Sequence, residues 1–402
     1  MMRQNIIRLG GVMGLAFFIL SLWIFPATVD GAQKELLIGT SLPLTGPGAS
    51  YGIPDMRAQE IAVEQINNSG GVPVGSDRYR VKLLVEDNKY TTKDAFATVN
   101  KLVKDDGVRF VRVYGTAPVL ATLDFMNKNR IINFCVISEK GLSPKYPYTF
   151  RAYNTTYEVL PPYFSWIRKN MPHIKTIQSV MMDDATGYAI TDALLLSTKY
   201  FGFDLTPNYA PRNITDFYPK LTEILAKKPD AIYAGGGSNW GMFWKGAREM
   251  GYGGQFLAST FHTEWAAIAG AQTLEGYIHC QTSLTSEALP KGLRDYRNMY
   301  FEKYKEEPIG LSLWGFIYIH VLATALQKAG TVEDPDKVKN VLETQTLETA
   351  VGRYMFGGQS FYGTPHQLVS PAYITKFTGG KEVTVEVIPS EQVSILLMKV
   401  YK

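Results

Sequence analysis

Cysteine is almost absent from this chain. Cys135 and Cys280 are the only two in 402 residues, which excludes a scaffold stapled by several disulfides and a zinc site built from thiolates. The two either pair with each other or lie buried apart, and the sequence leaves both open. Histidine is scarce as well, at five residues, and none stands in an H-E-x-x-H or similar spacing, so neither a metal nor another cofactor is expected. No sign of charge dominates: 41 Lys and Arg face 37 Asp and Glu, too even a balance for a nucleic-acid partner. Beyond the N-terminus no apolar run reaches membrane-spanning length. Leu311 to Ala325 comes closest, but Ser312, His320 and Thr324 interrupt it, and it reads as a buried helix.

What is present begins with a leader. Arg3 and Arg8 precede an almost uncharged run from Leu9 to Phe25, shorter than the roughly 20 residues of a spanning helix. Pro26, Ala27 and the small-residue segment from Val29 to Ala32 follow. This layout is that of a secretory signal peptide, with cleavage expected after Gly31 or Ala32; the alternative is an uncleaved anchor. Losing Arg3, Arg8 and Asp30 takes the formal net charge from +4 to +3, and no cysteine near the cut invites a lipid anchor.

From Glu35 onward short apolar runs alternate with helical patterns, the signature of strand-helix units around a parallel sheet. Leu36–Thr40, Val81–Val85, Phe110–Val113 and Ile131–Cys135 read as strands, and Ile53, Met56, Ile61, Val63 and Ile66 recur at helical spacing between the first two. The pattern restarts with a helix near Tyr163–Lys169, strands at Thr176–Met182, Ala231–Ala234 and Phe256–Ser259, and helices at Tyr188–Tyr200, Phe217–Lys227 and Gly241–Met250. Helices at Leu293–Lys305, Leu311–Lys328 and Asp334–Glu343 follow. A hairpin closes the chain, with Thr378, Gly379 and Gly380 as its turn.

Two motifs suggest chemistry. Gly48-Ala49-Ser50-Tyr51-Gly52 matches the G-x-S-x-G nucleophile elbow at a strand-to-helix passage, so a secreted serine hydrolase using Ser50 is one reading. It lacks an earlier strand to supply the second oxyanion donor, and a serine hydroxyl in a ligand-binding loop fits better. Gly235, Gly236 and Gly237 invite a dinucleotide fingerprint, which fails where Trp240 replaces its third glycine. The more general physics survives, because small residues let a ligand approach N–H groups at a helix N-terminus. Gly115-Thr116-Ala117-Pro118 repeats that arrangement in the first half. Hydroxyls of Ser50 and Thr116 are therefore expected to donate to an anionic group. Asp183 and Asp184 read as a strand end and a helix cap, Trp244 and Trp265 as helix packing, and Tyr188, Trp240 and Phe261 as ligand contacts.

The segments Ile38-Gly39-Thr40-Ser41-Leu42-Pro43-Leu44-Thr45-Gly46, Tyr51-Gly52, Asn67 to Gly71, Val85-Glu86-Asp87, Gly187-Tyr188 and Tyr233-Ala234-Gly235-Gly236, in this order, resemble the type I periplasmic solute-binding proteins of the leucine/isoleucine/valine-binding family. The resemblance implies an α/β fold of two Rossmann-like lobes with parallel central sheets, joined by a three-crossover hinge. Lobe I would take residues 32–150 and 276–350 after a 1–31 leader, and lobe II 151–275 and 351–402. It implies a periplasmic, monomeric receptor that closes on a small amino acid, carboxylate or amide and passes it to the membrane permease of an ABC importer. A sensor feeding a signalling protein is the alternative. Ligand contacts would come from Ser50, Tyr51, Gly115, Thr116, Ala117, Ser138 and Glu139 in lobe I, and from Tyr188, Gly237, Asn239, Thr260 and Phe261 in lobe II. The acidic residue that takes an α-ammonium group should follow Ala258, yet Ser259-Thr260-Phe261-His262 stands there, and Glu264 substitutes only if the loop is shifted. An aromatic expected near Gly237 is missing too. Both departures point away from aliphatic amino acids and towards an aromatic or other carboxylate, or an amide.

Overall fold

The computed structural model describes residues 34–402 except Glu139, Lys140, Thr285, Glu287 and Ala288. The leader with its cleavage site, and Glu139 among the expected contacts, lie outside the described residues.

Two sheets organise the chain. The first holds β1 (Lys34–Leu42), β2 (Val72–Val74), β3 (Asp77–Asp87), β4 (Phe110–Tyr114), β5 (Ile132–Val136) and β6 (Thr149–Phe150), in the order β2-β3-β1-β4-β5-β6. Every neighbouring pair is parallel except β2 with β3. The second holds β7 (Thr176–Met182), β8 (Asp204–Ala210), β9 (Ala231–Ala234), β10 (Gln255–Ala258) and β11 (Ile278–His279). An antiparallel hairpin of Ala372–Thr378 and Lys381–Ile388 extends it beside β11. All residues of β4 and β5 are buried, as a parallel sheet covered by helices on both faces requires. The expected α/β architecture with mainly parallel sheets is present.

Burial on both faces leaves no room for an unpaired charge, and Arg112 in the middle of β4 is fully buried. Its Nε and Nη2 donate to the two carboxylate oxygens of Asp55 at 2.9 and 2.7 Å, and its guanidinium lies 4.7 Å from the Tyr318 ring centre. Gln59 Nε2 donates to the same carboxylate at 2.7 Å. Asp55 belongs to α1 (Ala49–Asn68) and Tyr318 to the helix Leu313–Ala329, so this cluster ties β4 to the two helices that cover it.

The remaining helices used below are α2 (Thr92–Lys104), α3 (Thr116–Lys128), α4 (Thr156–Asn170) and α5 (Ala185–Tyr200). Two close approaches explain the Tyr51-Gly52 and Gly187-Tyr188 pairs. A Cβ on Gly52 would collide with the Pro43 carbonyl, and one on Gly187 with the Met182 carbonyl. In each half only glycine lets the helix turn directly against the strand end it follows.

Several elements depart from the sequence reading, three of them with consequences for the fold. Helix α4 begins at Thr156 rather than near Tyr163, because Thr155 and Glu158 form a capping box that fixes its start ahead of Pro161 and Pro162. Strand β8 and the helix Ser390–Tyr401 have no counterpart in it. Cys135 and Cys280 are both free and buried, and burial pushes the Cys135 thiol up to about 11.

The helix Leu313–Ala329 is the buried helix expected. Gly310–Ala329 is long and apolar enough to cross a membrane, yet 72% of its apolar stretch is buried inside the molecule. It carries His320, which burial pushes down to about 4. An imidazole depressed below its ordinary 6.5 is neutral when folded, so its contribution is intact above pH 6.5 and is lost progressively as pH falls from there to the folded value. Stability should therefore drop by about 2 kcal/mol between pH 7 and pH 5 on this account. Urea titrations of the parent and His320→Leu should show a shallower pH slope in the variant, and parallel slopes would refute the assignment.

The chain passes between the two packed cores at Arg151–Thr155, between His279 and the helix Lys291–Tyr304, and after Leu368. These segments bond to one another. Arg151 N donates to His366 O and Leu368 N to Arg151 O, each at 2.8 Å, while Asn154 Nδ2 donates to Pro371 O at 3.0 Å.

Candidate functional site

Because their strands are parallel, both sheets send their strand-to-helix loops to one edge, where ligands of open α/β sheets bind. Here the two edges face each other across a cavity of about 120 Å³. At 10–15 Å³ per water-sized sphere, that is room for on the order of ten non-hydrogen atoms. The first sheet contributes the loops after β4 and β5, with Gly115, Thr116 and Ser138, and the second those after β9 and β10, with Gly235, Gly236, Ser259 and Thr260. The crossing segments supply Asn154, Thr282 and Pro371.

Of the expected contacts, Tyr51, Gly115, Thr116, Ser138 and Thr260 line this cavity. Tyr51 reaches across the cleft and donates its hydroxyl to Gly236 O, and burial pushes that hydroxyl's pKa up. Thr116 Oγ1 accepts from Thr186 Oγ1 at 2.8 Å, and Ser138 N approaches it at 3.3 Å. Ser50 and Gly237 meet at the seam instead: a Cβ on Gly237 would stand 3.4 Å from Ser50 Oγ. Ser50 is already helical, the second residue of α1, rather than the apex of an elbow. Ala117 faces an adjoining cavity.

Four assignments are corrected. Tyr188 is 47% exposed; its ring packs 5.2 Å from Tyr209 and its hydroxyl donates to Asp183, so it points away from the cleft. Phe261 is buried against His279 and Phe377, with ring centres 5.6 and 5.2 Å away. Trp240 is buried between Phe217 and Phe243, because the turn Ser238–Trp240 that it ends places it beneath the helix that follows. Asn239 spends its amide on Ile214 O at 2.8 Å. Trp244 and Trp265 pack in the core as expected.

The sequence reading missed the residues that give the cavity its charge. Arg212, which follows β8, and Tyr90, which follows β3, both line it. Arg212 Nε donates to Asp184 Oδ2 at 2.7 Å and Nη2 to the Tyr90 hydroxyl at 3.3 Å. Burial opposes its charge, but Tyr90 and Asp184 hold its pKa above the ordinary value. Arg212 is thus cationic, largely buried and at the cavity wall. Among the described residues no aspartate or glutamate lines the cavity. Glu264 stands outside it, half exposed, with His262 Nδ1 3.7 Å away. Among the described residues no group of three His, Cys, Asp or Glu is placed to hold a metal ion.

A model of the periplasmic binding protein family matches residues 35–381. A Leu/Ile/Val-binding protein of Rhizobium johnstonii is 26% identical over 372 residues, covering 88% of this chain and 95% of its own length. Among solved structures, a solute-binding protein of an ABC transporter from R. palustris in complex with benzoate superposes with a TM-score of 0.76 at 17% identity, covering 88% of this chain and 97% of that one. The branched-chain amino acid binding protein LivJ of Streptococcus pneumoniae, in complex with isoleucine, gives 0.75 at 21% identity, with 88% and 99% covered. With its parallel sheets facing one cavity and a family match over most of its length, the chain belongs to the type I periplasmic binding proteins of the leucine/isoleucine/valine-binding family.

Proposed function

We propose that this protein is the extracytoplasmic receptor of an ABC importer and captures a small carboxylate that carries no ammonium group. The observation that carries this reading is the cavity wall itself: among the described residues it has one buried arginine, several tyrosine and threonine hydroxyls, and no carboxylate. A buried ammonium group without an acidic partner costs several kcal/mol, whereas an anion meets Arg212 and the hydroxyls around it. Met181, Met182, Val159 and Ile190 on the lobe II side of the same wall suit an apolar or aromatic body. Hinge closure of the two lobes, which are joined by the crossings through Arg151–Thr155, beyond His279 and beyond Leu368, traps the ligand, and the monomeric receptor then delivers it to the permease. It acts by binding, not by catalysis, after secretion through its N-terminal leader. The benzoate-bound neighbour supports the carboxylate reading, and the amino-acid-binding relatives support the transport role.

A thermal-shift panel tests this with benzoate, 4-hydroxybenzoate, phenylacetate, benzamide, leucine and isoleucine. At 100 times its dissociation constant a ligand stabilises by about 2.7 kcal/mol. At least one carboxylate should shift the midpoint, while benzamide and the two amino acids should not. Leucine as the strongest binder would overturn the ligand assignment.

A further inference from the structure

The cavity is separated from a second one of about 290 Å³. Among the described residues three line both, and they are Tyr90, Thr186 and Arg212. The outer cavity is also bounded by Lys89 and Asp184, and the Lys89 side chain is exposed, so this is the solvent side of the cleft. The partition is a chain of contacts that alternates between the two halves of the protein. Tyr90 OH and Thr186 Oγ1 lie 2.6 Å apart, Thr186 Oγ1 donates to Thr116 Oγ1 at 2.8 Å, and the Arg212 guanidinium sits 4.6 Å from the Tyr90 ring centre. Tyr90, in a loop, and Thr116, the first residue of α3, belong to the first half, and Thr186, in the first turn of α5, and Arg212, in a loop, to the second.

The backbone beneath Tyr90 is held in an uncommon shape. Lys89 and Tyr90 both take left-handed conformations, with φ of 49° and 62°, which non-glycine residues adopt only where their surroundings over-determine them. Buried Asn88 provides that constraint. Its amide donates to Ser41 O at 2.9 Å and to Tyr114 O at 3.1 Å, and its Oδ1 accepts from Tyr90 N at 2.9 Å. Tyr90 is thereby presented on a rigid platform and aimed at the opposite half.

We infer that Tyr90 is the latch of the closed state: docking between Thr186 and Arg212, it shuts the ligand chamber from the outer vestibule and sets the rate of release. Its role in release rests on the carboxylate reading above, whereas its role in closure does not. Spin labels on Lys93→Cys and Lys227→Cys, with the native cysteines buried, report the separation of the halves without ligand. In Tyr90→Phe, which loses the hydroxyl bonds, and in Tyr90→Gly, whose backbone accepts a φ of 62°, the distance distribution should move to longer separations. Stopped-flow release of benzoate should accelerate at least tenfold in both. Should no carboxylate bind the parent, the ligand reading fails while the label distances still decide the latch. Distances unchanged in both variants would overturn it, as would release rates within twofold of the parent where benzoate binds.

Discussion

Arg212→Gln should reduce the affinity for a carboxylate ligand by roughly thirty- to a thousandfold, about 2–4 kcal/mol. The effect is large because, among the described residues, Arg212 is the one cationic side chain on the cavity wall and is largely removed from solvent there, so its field is less screened than at the surface. Glutamine keeps much of the volume and can still donate to Tyr90, which isolates the charge from the packing. Arg212→Lys keeps the charge but loses the fork that engages Asp184 through Nε and Tyr90 through Nη2, and an intermediate loss is expected. Calorimetry with the best carboxylate of the panel reads both variants. An affinity within threefold of the parent in Arg212→Gln would show that the anion is bound elsewhere.

The second large effect concerns stability rather than binding. Asp55→Ala should destabilise the protein by about 3–5 kcal/mol, since it strands the Arg112 guanidinium inside the first core without a counter-charge. Both side chains of the pair are 1% exposed, and neither β4 nor the helix Leu313–Ala329 can move to admit water without opening the core. Removing both charges together is a different matter. Asp55→Leu with Arg112→Met replaces the pair by apolar groups and should recover most of the loss, because the cost lies in the unpaired charge. Urea denaturation of the two single variants and the double variant measures the coupling. Additive losses would mean that Asp55 and Arg112 contribute independently.

The chain announces its framework more clearly than its site. Strands β7 and β9 begin and end where the apolar runs predict, since buried parallel strands are short, continuous and bounded by turn formers. Strand β8 lies at the sheet edge with Pro207 within it and most of its residues solvated, so no alternation or apolar run marks it. That omission had a second cost. Arg212 follows β8, so without that strand its loop is not recognised, and with it goes the cationic residue of the described cavity wall. Tyr90 was within reach, two residues beyond Glu86-Asp87-Asn88, but an aromatic next to a lysine in a polar loop gives no periodic signal. Tyr188, Trp240 and Phe261 show the converse problem. All three stand where strands pass to helices, and such a loop sends successive side chains into the cleft, the core and solvent in turn. Sequence position finds the loop, whereas packing decides the direction. The doubt over Glu264 needed only its loop's position, and that loop keeps the carboxylate outside the cavity.

The passage of the chain between its two cores governs when either can be completed. Once residues up to Gly276 exist, all six strands of the first sheet are present, yet the helix Leu313–Ala329 that covers it is still missing. The second sheet lacks the hairpin beyond Ala372, which borders β11. Neither half can finish its hydrophobic interior from a contiguous stretch of nascent polypeptide, and the closing contacts span long sequence separations, which slows folding. The architecture itself postpones completion of both cores until the segment beyond Leu368 has been made.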